Sequence, residues 1–408
     1  MTWSRSCPTP IALDGHLLPN AQQMLLLTAA LESNRRGIDA FRAWRDSVNL
    51  NDEFGWDALR LMPLVYSNLS AVGVTDPLMG RLKGVYRRAW YQTHTLFRRT
   101  GPAVAALAAA GMDVLLFKGA PLALGYYRNH ALRPMTDVDV CVRPSSATRA
   151  VEILRDHGWR PRCEMTSDLL RYRHALQFVH SDGGEMDLHW HALPEAISAQ
   201  HDDMFWHDVE PMEFGETTVQ QLRPTSLLLQ QIVHGIRWNA ETPIRWIPDS
   251  LYIARTRSSE IDWDRLVAMA RALRVTSRLS IGLSFLTERF ALELPTHLLG
   301  VTQRLRPTLV ERLENRVVLR NEQALGIGAL PELVRGISEY ARVVDPAQRP
   351  IAFLFEYPQF LRYKWELQGR RGILPFVFRG LLRRIRRRVA LGRAPYSDAT
   401  VAHALPRR

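Results

Sequence analysis

The spacing of apolar residues changes twice along the chain. From about residue 20 to residue 110, apolar side chains recur every three or four positions, which predicts several amphipathic helices. A short apolar run at residues 112–117 then predicts a buried strand, and alternating apolar and polar residues follow it. Beyond Pro224 the helical spacing returns and continues through most of the remaining chain. The pattern therefore predicts an α/β region between two helical regions.

Residues 137–142 carry the clearest alternation in this middle region. Valines occupy the even positions and form one apolar face, while Asp137 and Asp139 lie on the other face. Two further alternating runs, residues 175–180 and 185–190, flank the sequence Ser-Asp-Gly-Gly, which is typical of a hairpin turn. A second hairpin is expected around residues 214–217. The middle region should therefore contain a small mixed sheet.

These changes divide the 408 residues into four predicted parts, which suits a chain too long for one ordinary domain. They are an N-terminal helical region (1–110), an α/β core (111–223), a C-terminal helical domain (224–361) and a tail (362–408). The predicted fold class is α+β, with helical regions on both sides of the core.

The composition is that of a globular protein. At 46% hydrophobic and 23% charged residues, it excludes a mainly disordered chain, a collagen-like repeat and a polytopic membrane protein. The longest weakly polar stretch, residues 103–117, is shorter than the roughly 20 residues of a membrane-spanning helix. The first ten residues lack the pattern of a secretory signal, and three widely spaced cysteines indicate neither a disulfide framework nor a zinc site. We therefore expect a cytoplasmic protein.

Positive charge is concentrated at the C-terminal end. The chain has 53 Lys and Arg against 41 Asp and Glu, a formal net charge of +12. Residues 362–408 hold 13 of those cations and two acids, so the tail carries +11 and the rest is nearly neutral. Apolar residues at steps of three and four within the tail predict a basic amphipathic helix. Three roles stay open for it: packing on the body, peripheral binding to an anionic membrane, and binding to nucleic acid.

The two acids of the alternating strand are the main candidates for chemistry. Asp137 and Asp139 project from the same face, where two unpaired carboxylates would repel each other. A divalent cation such as Mg²⁺ relieves that repulsion and is commonly completed by substrate phosphates. Asp187 lies on the alternating run after the predicted hairpin, which makes it the best third acid. The pattern favours phosphoryl or nucleotidyl transfer, and a solvated acidic strand edge is the alternative.

A second metal site is an alternative interpretation of the same region. Asp187, His189 and His191 alternate and share one face, so they could bind zinc or iron. His189 could equally lie beside the carboxylates, orienting Asp187 or meeting an acceptor.

The turn after the first predicted strand is a candidate for binding phosphates. Gly119 would let backbone N–H groups approach a phosphate, a helix predicted over residues 121–127 would point its positive end there, and Lys118 would add a charge. Ala120 completes this turn. Arg133 could clamp a phosphate or pair with one of the aspartates. Further along, Arg245 and Asp249 are one helical turn apart and are expected to pair with each other.

The order of these motifs resembles a known family. A strand, a Lys-Gly turn, a helix, an Arg-Pro-x-x-Asp-x-Asp strand and a later strand ending in Asp-Leu-His-Trp are similar to an uncharacterised family of bacterial nucleotidyltransferases within the DNA polymerase beta-like superfamily. The resemblance is close over residues 111–190 and looser in the helical residues that follow. It implies a polymerase-beta-like core flanked by helices.

The resemblance also implies roles for individual residues. The implied metal ligands are Asp137, Asp139 and Asp187. They would hold two Mg²⁺ ions, with Mn²⁺ as a substitute, and Asp187 would activate the attacking hydroxyl. The implied nucleotide-binding residues are Lys118, Gly119, Ala120 and Arg133. Ala120 stands where the wider superfamily has a small hydroxyl residue, a loss for which Lys118 could compensate.

The expected function is Mg²⁺-dependent transfer of a nucleoside monophosphate from an NTP, ATP by default, to an unidentified acceptor hydroxyl. Pyrophosphate would be released. The alternative is a non-catalytic adaptor that keeps the fold and uses its basic tail to bind a membrane surface or nucleic acid.

Overall fold

The computed structural model describes residues 17–49, 55–237, 243–299, 329–344 and 350–364, together with positions 305, 307, 308, 311, 312 and 315. Within those residues the strands form a single seven-stranded mixed sheet, with helices before and after it in the sequence. The α+β fold with flanking helical regions is therefore confirmed.

Among the described residues, four helices precede the sheet, and the first two begin with asparagine side-chain caps. Their bounds are α1 (Ala21–Leu31), α2 (Arg35–Ser47), α3 (Trp56–Ala71) and α4 (Met79–Ala109). At the start of α1, the side chain of Asn20 accepts a hydrogen bond from the backbone N–H of Gln23, and the Gln23 side chain accepts one from the N–H of Asn20. This reciprocal pair satisfies donors that the first turn would otherwise leave unpaired.

Three neighbouring strands near the centre of the sheet carry the candidate site residues. The strands are β1 (Val114–Phe117), β2 (Asp137–Val142), β3 (Trp159–Pro161), β4 (Ala175–His180), β5 (Glu185–His189), β6 (Val209–Phe214) and β7 (Thr217–Leu222). Their order across the sheet is β3-β4-β5-β2-β1-β7-β6. β2 runs parallel to β5 and antiparallel to β1, and β1 runs parallel to β7. β2 is therefore bordered by β1 and β5, which carry the other candidate site residues.

Helices connect the strands and continue beyond them. Within the sheet region they are α5 (Gly119–Pro121), which continues as a π-helical turn (Leu122–Tyr126), α6 (Ala147–Asp156), α7 (Ser167–Tyr172) and α8 (Ala199–Trp206). The later helices are α9 (Pro224–Gly235), α10 (Trp246–Thr256), α11 (Trp263–Ala272), α12 (Thr276–Phe290), α13 (Thr296–Leu299), α14 (Ala329–Val343) and α15 (Pro350–Lys364). Short 3₁₀ turns are formed by Pro144–Ser146, Pro194–Ala196 and Ser258–Glu260.

Both faces of the sheet are covered. Val138 and Val140 belong to one apolar core, which packs against α4 and α6. Phe117 and Cys141 point to the opposite face and join a second core that contains residues of α9 to α12. Because side chains alternate along a strand, Asp137 and Asp139 share the second face with Cys141. The candidate acids therefore lie on the face that the C-terminal helices cover.

Most of the elements predicted from the sequence are present. The strand with alternating valines and both predicted hairpins form, the latter as β4–β5 and β6–β7. β3 and α7 were not predicted, because each is only three to six residues long and shows no full period. The helix after the Lys-Gly turn begins two residues earlier than predicted, at Gly119, and is π-helical over Leu122–Tyr126.

Residues 365–408, which make up nearly all of the predicted basic tail, lie outside the described residues. Among the helices that are described, none combines the length and the apolar character needed to cross a bilayer.

The contact between α9 and α10 gives a prediction about stability. A Cβ atom on Gly235 would lie 2.1 Å from Cγ and 2.3 Å from Cβ of Trp246. Gly235→Ala is therefore expected to lower the free energy of unfolding by about 1–3 kcal/mol, because the two helices would have to move apart. Urea denaturation followed by tryptophan fluorescence measures this change.

The matched control is Gly84→Ala on the exposed side of α4, where a Cβ would meet no atom within 4 Å. It is expected to stabilise the protein by about 0.4–1 kcal/mol, since alanine restricts the unfolded chain. Equal effects of the two substitutions would contradict the close contact between α9 and α10.

Candidate active site

The register of the central strands brings two of the predicted acids face to face. Asp139 on β2 is paired directly with Asp187 on the parallel strand β5. On its other side, Asp139 is paired with Phe117, the last residue of β1. Paired residues project to the same face of a sheet, so the two carboxylates are neighbours. Lys118, the residue after β1, is brought to the same place.

Lys118 adopts an unusual backbone conformation that carries its side chain to Asp139. Its φ is 55° and its ψ is −108°, a combination that non-glycine residues rarely adopt and that costs free energy. Its Nζ donates to Oδ1 of Asp139 at 2.5 Å. Only 5% of Asp139 is exposed, so this ammonium, rather than solvent, balances the charge of the carboxylate. The strained turn is therefore held by a buried ion pair.

His189 completes the contacts of Asp139. Its Nε2 lies 3.0 Å from Oδ1 of Asp139 and 3.5 Å from Nζ of Lys118. Burial and the nearby Lys118 lower the pKa of His189 to about 4, so the ring is neutral at pH 7. A neutral ring meets Asp139 through a hydrogen bond and adds no further charge.

The surroundings give the carboxylates different protonation behaviour. Burial alone would raise the pKa of Asp139, but Lys118 and the hydrogen bond from His189 hold it well below its usual range. Burial raises the pKa of Asp187 to about 7, and the negative charges of Asp139 and Asp137 contribute to this shift. Asp139 is therefore a permanent anion, whereas Asp187 exchanges its proton near neutral pH.

Three side chains at this position could hold a metal ion. Asp139, Asp187 and His189 each offer a ligand atom, and these atoms all lie within 4.8 Å of one another. Oδ1 of Asp187 is buried and has no hydrogen-bond partner among the described residues. A buried carboxylate oxygen without a donor is costly, and a cation would satisfy it. The donor set of two carboxylates and one imidazole fits a divalent cation.

Asp137 lies at the edge of this group rather than within it. It begins β2 and is half-buried, and the hydroxyl of Thr136 lies 3.3 Å from its Oδ1. Burial and the charge of Asp139 raise its pKa, while Lys118, Arg245 and other cations oppose the shift. The structure therefore places Asp137 on the same face as Asp139, two residues earlier on β2.

Arg133 lies at the Lys-Gly turn but is paired with an acid from another part of the chain. Its Nε and Nη2 donate to the carboxylate of Asp249 on α10, at 3.0 to 3.2 Å. The prediction that Arg245 pairs with Asp249 is wrong within the described residues, since Arg245 instead donates to the backbone oxygen of Pro134 at 2.7 Å. The buried guanidinium of Arg133 outcompetes Arg245 because it reaches the carboxylate with two nitrogens.

The turn itself leaves little room beside Gly119. A Cβ there would lie 2.7 Å from Nη1 of Arg133 and 2.6 Å from Cε of Met135. Glycine is therefore required for this close approach. Ala120 is fully buried in the core, and neither its side chain nor its backbone is exposed. The structure thus brings Lys118, Gly119 and Arg133 together.

Two further histidines lie near the site. The ring of His174, just before β4, lies 5.3 Å from the ring of His189. Nε2 of His234 on α9 lies 3.5 Å from Nη2 of Arg237. Burial lowers the pKa of both well below the usual range, and Lys118 contributes to each shift. His174 was not singled out from the sequence, because it stands between Arg173 and the first residue of β4, where no periodic signal marks it.

The alternative zinc or iron array does not assemble in the described residues. His191 lies two residues beyond His189 and four beyond Asp187, but its Nδ1 is 3.6 Å from Asp202 and it does not belong to the group around Asp139. His189 instead faces Asp139, which this interpretation had not included.

Neutralising Asp187 is expected to stabilise the metal-free protein at high pH. The pKa of Asp187 is raised from its ordinary value of 3.8 to about 7 in the folded protein. The folded state is therefore favoured by the protonated form of Asp187, fully below pH 3.8, and this contribution to stability is lost as the pH rises through 7. Asp187→Asn removes this loss and should raise the free energy of unfolding by about 1–3 kcal/mol at pH 8. The gain should shrink toward pH 4. Urea unfolding in EDTA at several pH values measures it.

Asp182→Asn serves as the control, because this side chain is 76% exposed in the β4–β5 turn. It should change stability little at any pH. A loss of stability in Asp187→Asn at pH 8 would contradict the crowding of the carboxylates.

Comparisons with known proteins identify a family for this chain. No curated protein matches the chain. Among solved structures, an antigenic nucleotidyltransferase-like protein from Paracoccidioides brasiliensis is similar over 50% of this chain and 95% of its own, at 13% identity and a TM-score of 0.33. The sequence profile of a family described as uncharacterised nucleotidyltransferase matches residues 56–291, more than half of the chain. The match includes the sheet, the Lys-Gly turn and all three predicted acids, and the chain belongs to this family of uncharacterised nucleotidyltransferases.

Proposed function

We propose that the protein is a Mg²⁺-dependent nucleotidyltransferase that moves a nucleoside monophosphate from an NTP to an acceptor hydroxyl. Membership of the family supports nucleotidyl transfer in general. The Lys-Gly turn, the Asp-x-Asp strand and the adjacent parallel strand with a third acid support a place in the DNA polymerase beta-like superfamily. Mg²⁺, with Mn²⁺ as a substitute, and ATP as the nucleotide are parts of the proposal.

The observation that carries the proposal is the pairing of Asp139 with Asp187. The two carboxylates share one register position, and an oxygen of Asp187 is buried without a donor among the described residues. Acids in this arrangement repel unless a cation is present. Asp139 and Asp187, with Asp137 or His189 at the edge, would hold the metal. When bound, a divalent cation would neutralise phosphate charge and lower the pKa of a nearby hydroxyl.

Other residues of the site would bind the triphosphate and assist the proton transfer. Lys118, the backbone at Gly119 and Ala120, and Arg133 line the turn beside β1, where they would hold the triphosphate. Asp187 and the metal ion bound to it would favour removal of the proton from the attacking hydroxyl, and the carboxylate oxygen of Asp187 that does not bind the metal would accept that proton.

The proposed transfer needs no reactant other than the NTP and the acceptor. The acceptor oxygen forms a bond to the α-phosphorus, and the bond from that phosphorus to the bridging oxygen of pyrophosphate breaks. The hydroxyl proton passes to Asp187, and pyrophosphate leaves. Most of the acceleration would come from positioning and from neutralising charge.

Nucleotide binding tests the proposal directly. Calorimetric titration with each of the four NTPs should show binding that requires Mg²⁺ or Mn²⁺. Asp139→Asn and Asp187→Asn should each weaken the metal-dependent binding by at least about 100-fold, because even the hydrogen-bond partners of metal ligands contribute about 10- to 100-fold. Asp182→Asn, in the exposed turn, is the matched control and should bind as the wild type does.

Transfer is measured next, with α-labelled NTPs and a lysate of the host as the source of acceptors. The wild type should label a discrete product and release pyrophosphate, and Asp187→Asn should not. Equal and metal-independent nucleotide binding in the wild type and in Asp139→Asn would sink the proposal.

A further inference from the structure

A cavity of about 500 Å³ lies beside the candidate active site. Its walls come from the segment between α7 and β4, the 3₁₀ turn Pro194–Ala196, the end of α9, and helices α12, α14 and α15. Pockets for small molecules commonly have volumes of roughly 300–1,000 Å³. The cavity is therefore large enough for a compact metabolite.

Basic side chains dominate the polar lining of this cavity. The cations that line it are Arg173, Arg237, Arg278, Arg342 and Lys364. Among the described residues, Glu195 and Glu339 are the lining acids, so this part of the lining has a formal excess of three positive charges. Glu195 is paired with Arg278 at 2.5 Å, and Glu339 with Lys364 at 2.7 Å. The two acids thus leave a net positive cavity.

The lining cations differ in their surroundings. Burial lowers the pKa of Arg237; Glu195 opposes this shift, and Arg278 adds to it to a smaller extent. Nε of Arg173 donates to the hydroxyl of Tyr363 at 3.1 Å, and no carboxylate in the described part of the chain forms an ion pair with Arg173. An anion in the cavity would pair with the guanidinium of Arg173 and would be favoured over a neutral ligand.

Two imidazole rings lie between the cavity and the carboxylates. His174 lines the cavity, and its ring lies 5.3 Å from that of His189. His189 in turn contacts Asp139 at 3.0 Å. In the order β4-β5-β2-β1, the carboxylates lie between this cavity on the β4 side and the Lys118–Gly119 turn on the β1 side. If the triphosphate occupies the turn, the cavity lies on the opposite side of the reacting groups.

We propose that this cavity binds the acceptor, and that the acceptor is a small hydroxyl compound carrying a phosphate or carboxylate group. The inference rests on the nucleotidyl transfer proposed above. The charged group of the acceptor binds Arg173, Arg342 and Lys364, and its hydroxyl extends past His174 toward Asp187. The acceptor oxygen then bonds to the α-phosphorus, and the hydroxyl proton goes to Asp187. The bond from that phosphorus to the bridging oxygen breaks, and pyrophosphate leaves with both electrons of this bond.

Binding measurements on the full chain test the charge of the ligand. The probes are inorganic phosphate and three matched hexoses: glucose 6-phosphate, glucuronate and uncharged glucose. Isothermal titration without nucleotide should give at least about tenfold tighter binding for glucose 6-phosphate or glucuronate than for glucose. Stronger binding of the first identifies a phosphate site, and stronger binding of the second a carboxylate site.

Substitutions of residues that line the cavity test whether the charged hexose binds there. Arg173→Gln and Lys364→Gln should each weaken binding of the preferred charged hexose by about threefold to tenfold. Both should bind Mg–ATP as the wild type does, which also shows that they are folded. Arg149→Gln, an exposed arginine on α6 that pairs with Glu152 at 2.8 Å, is the matched control and should change neither affinity.

The two proposals fail in different ways. Binding of glucose as strong as that of both charged hexoses, or charged-hexose binding that neither Arg173→Gln nor Lys364→Gln weakens, overturns the anionic acceptor site while Mg–ATP binding stands. Loss of Mg–ATP binding in the wild type, with charged-hexose binding intact, overturns the transfer reaction and leaves the cavity as an anion site. Charged-hexose binding that is lost in both variants and kept in the control supports the inference.

Discussion

The crowding of three carboxylates on one face of a covered sheet is the constraint on which the rest of the site depends. Asp139 and Asp187 share a register position, and Asp137 projects from the same face two residues away. This face is packed against the C-terminal helices, so water cannot screen the repulsion as it would on an open edge. One ammonium, that of Lys118, lies in direct contact with the group. The imbalance separates the acids: the pKa of Asp139 is held well below its usual range, whereas that of Asp187 is raised to about 7.

Features of the surrounding fold follow from this imbalance. Lys118 reaches Asp139 only from a backbone conformation with positive φ, so part of the stability of the ion pair offsets the strain of the turn. The neighbouring imidazole of His189 is kept neutral by burial and by Lys118, and therefore orients Asp139 without cancelling its charge. Beyond the sheet, Arg133 binds Asp249 on α10 and ties the loop before β2 to the helices that cover the acids. Charge at the site is thereby coupled to the packing of the two regions.

Strands and hairpins that show a local periodicity could be predicted from the sequence. Few of the contacts between distant segments could be predicted in this way. The alternation around Asp139 and the glycine-rich turn after β4 each reveal a strand or hairpin within a few residues. The parallel pairing of β2 with β5, which opposes Asp139 to Asp187, joins segments almost 50 residues apart and leaves no periodic trace. Asp249 and Arg133 are separated by 116 residues, and the nearer Arg245 was the natural but wrong choice of partner. The role of His189 was open for the same reason, because its contact with Asp139 exists only once the sheet is assembled.

The central claim is that Asp139 and Asp187 jointly hold a divalent cation, and direct location of that cation tests it most simply. Crystals of the protein soaked in Mn²⁺ with a non-hydrolysable NTP would be measured at a wavelength where manganese scatters anomalously. The account predicts an anomalous peak bonded to a carboxylate oxygen of Asp139 and one of Asp187, at about 2.1 Å from each. A structure with bound nucleotide and no metal between these two side chains, or with the metal on His189 and His191 away from Asp139, would contradict it.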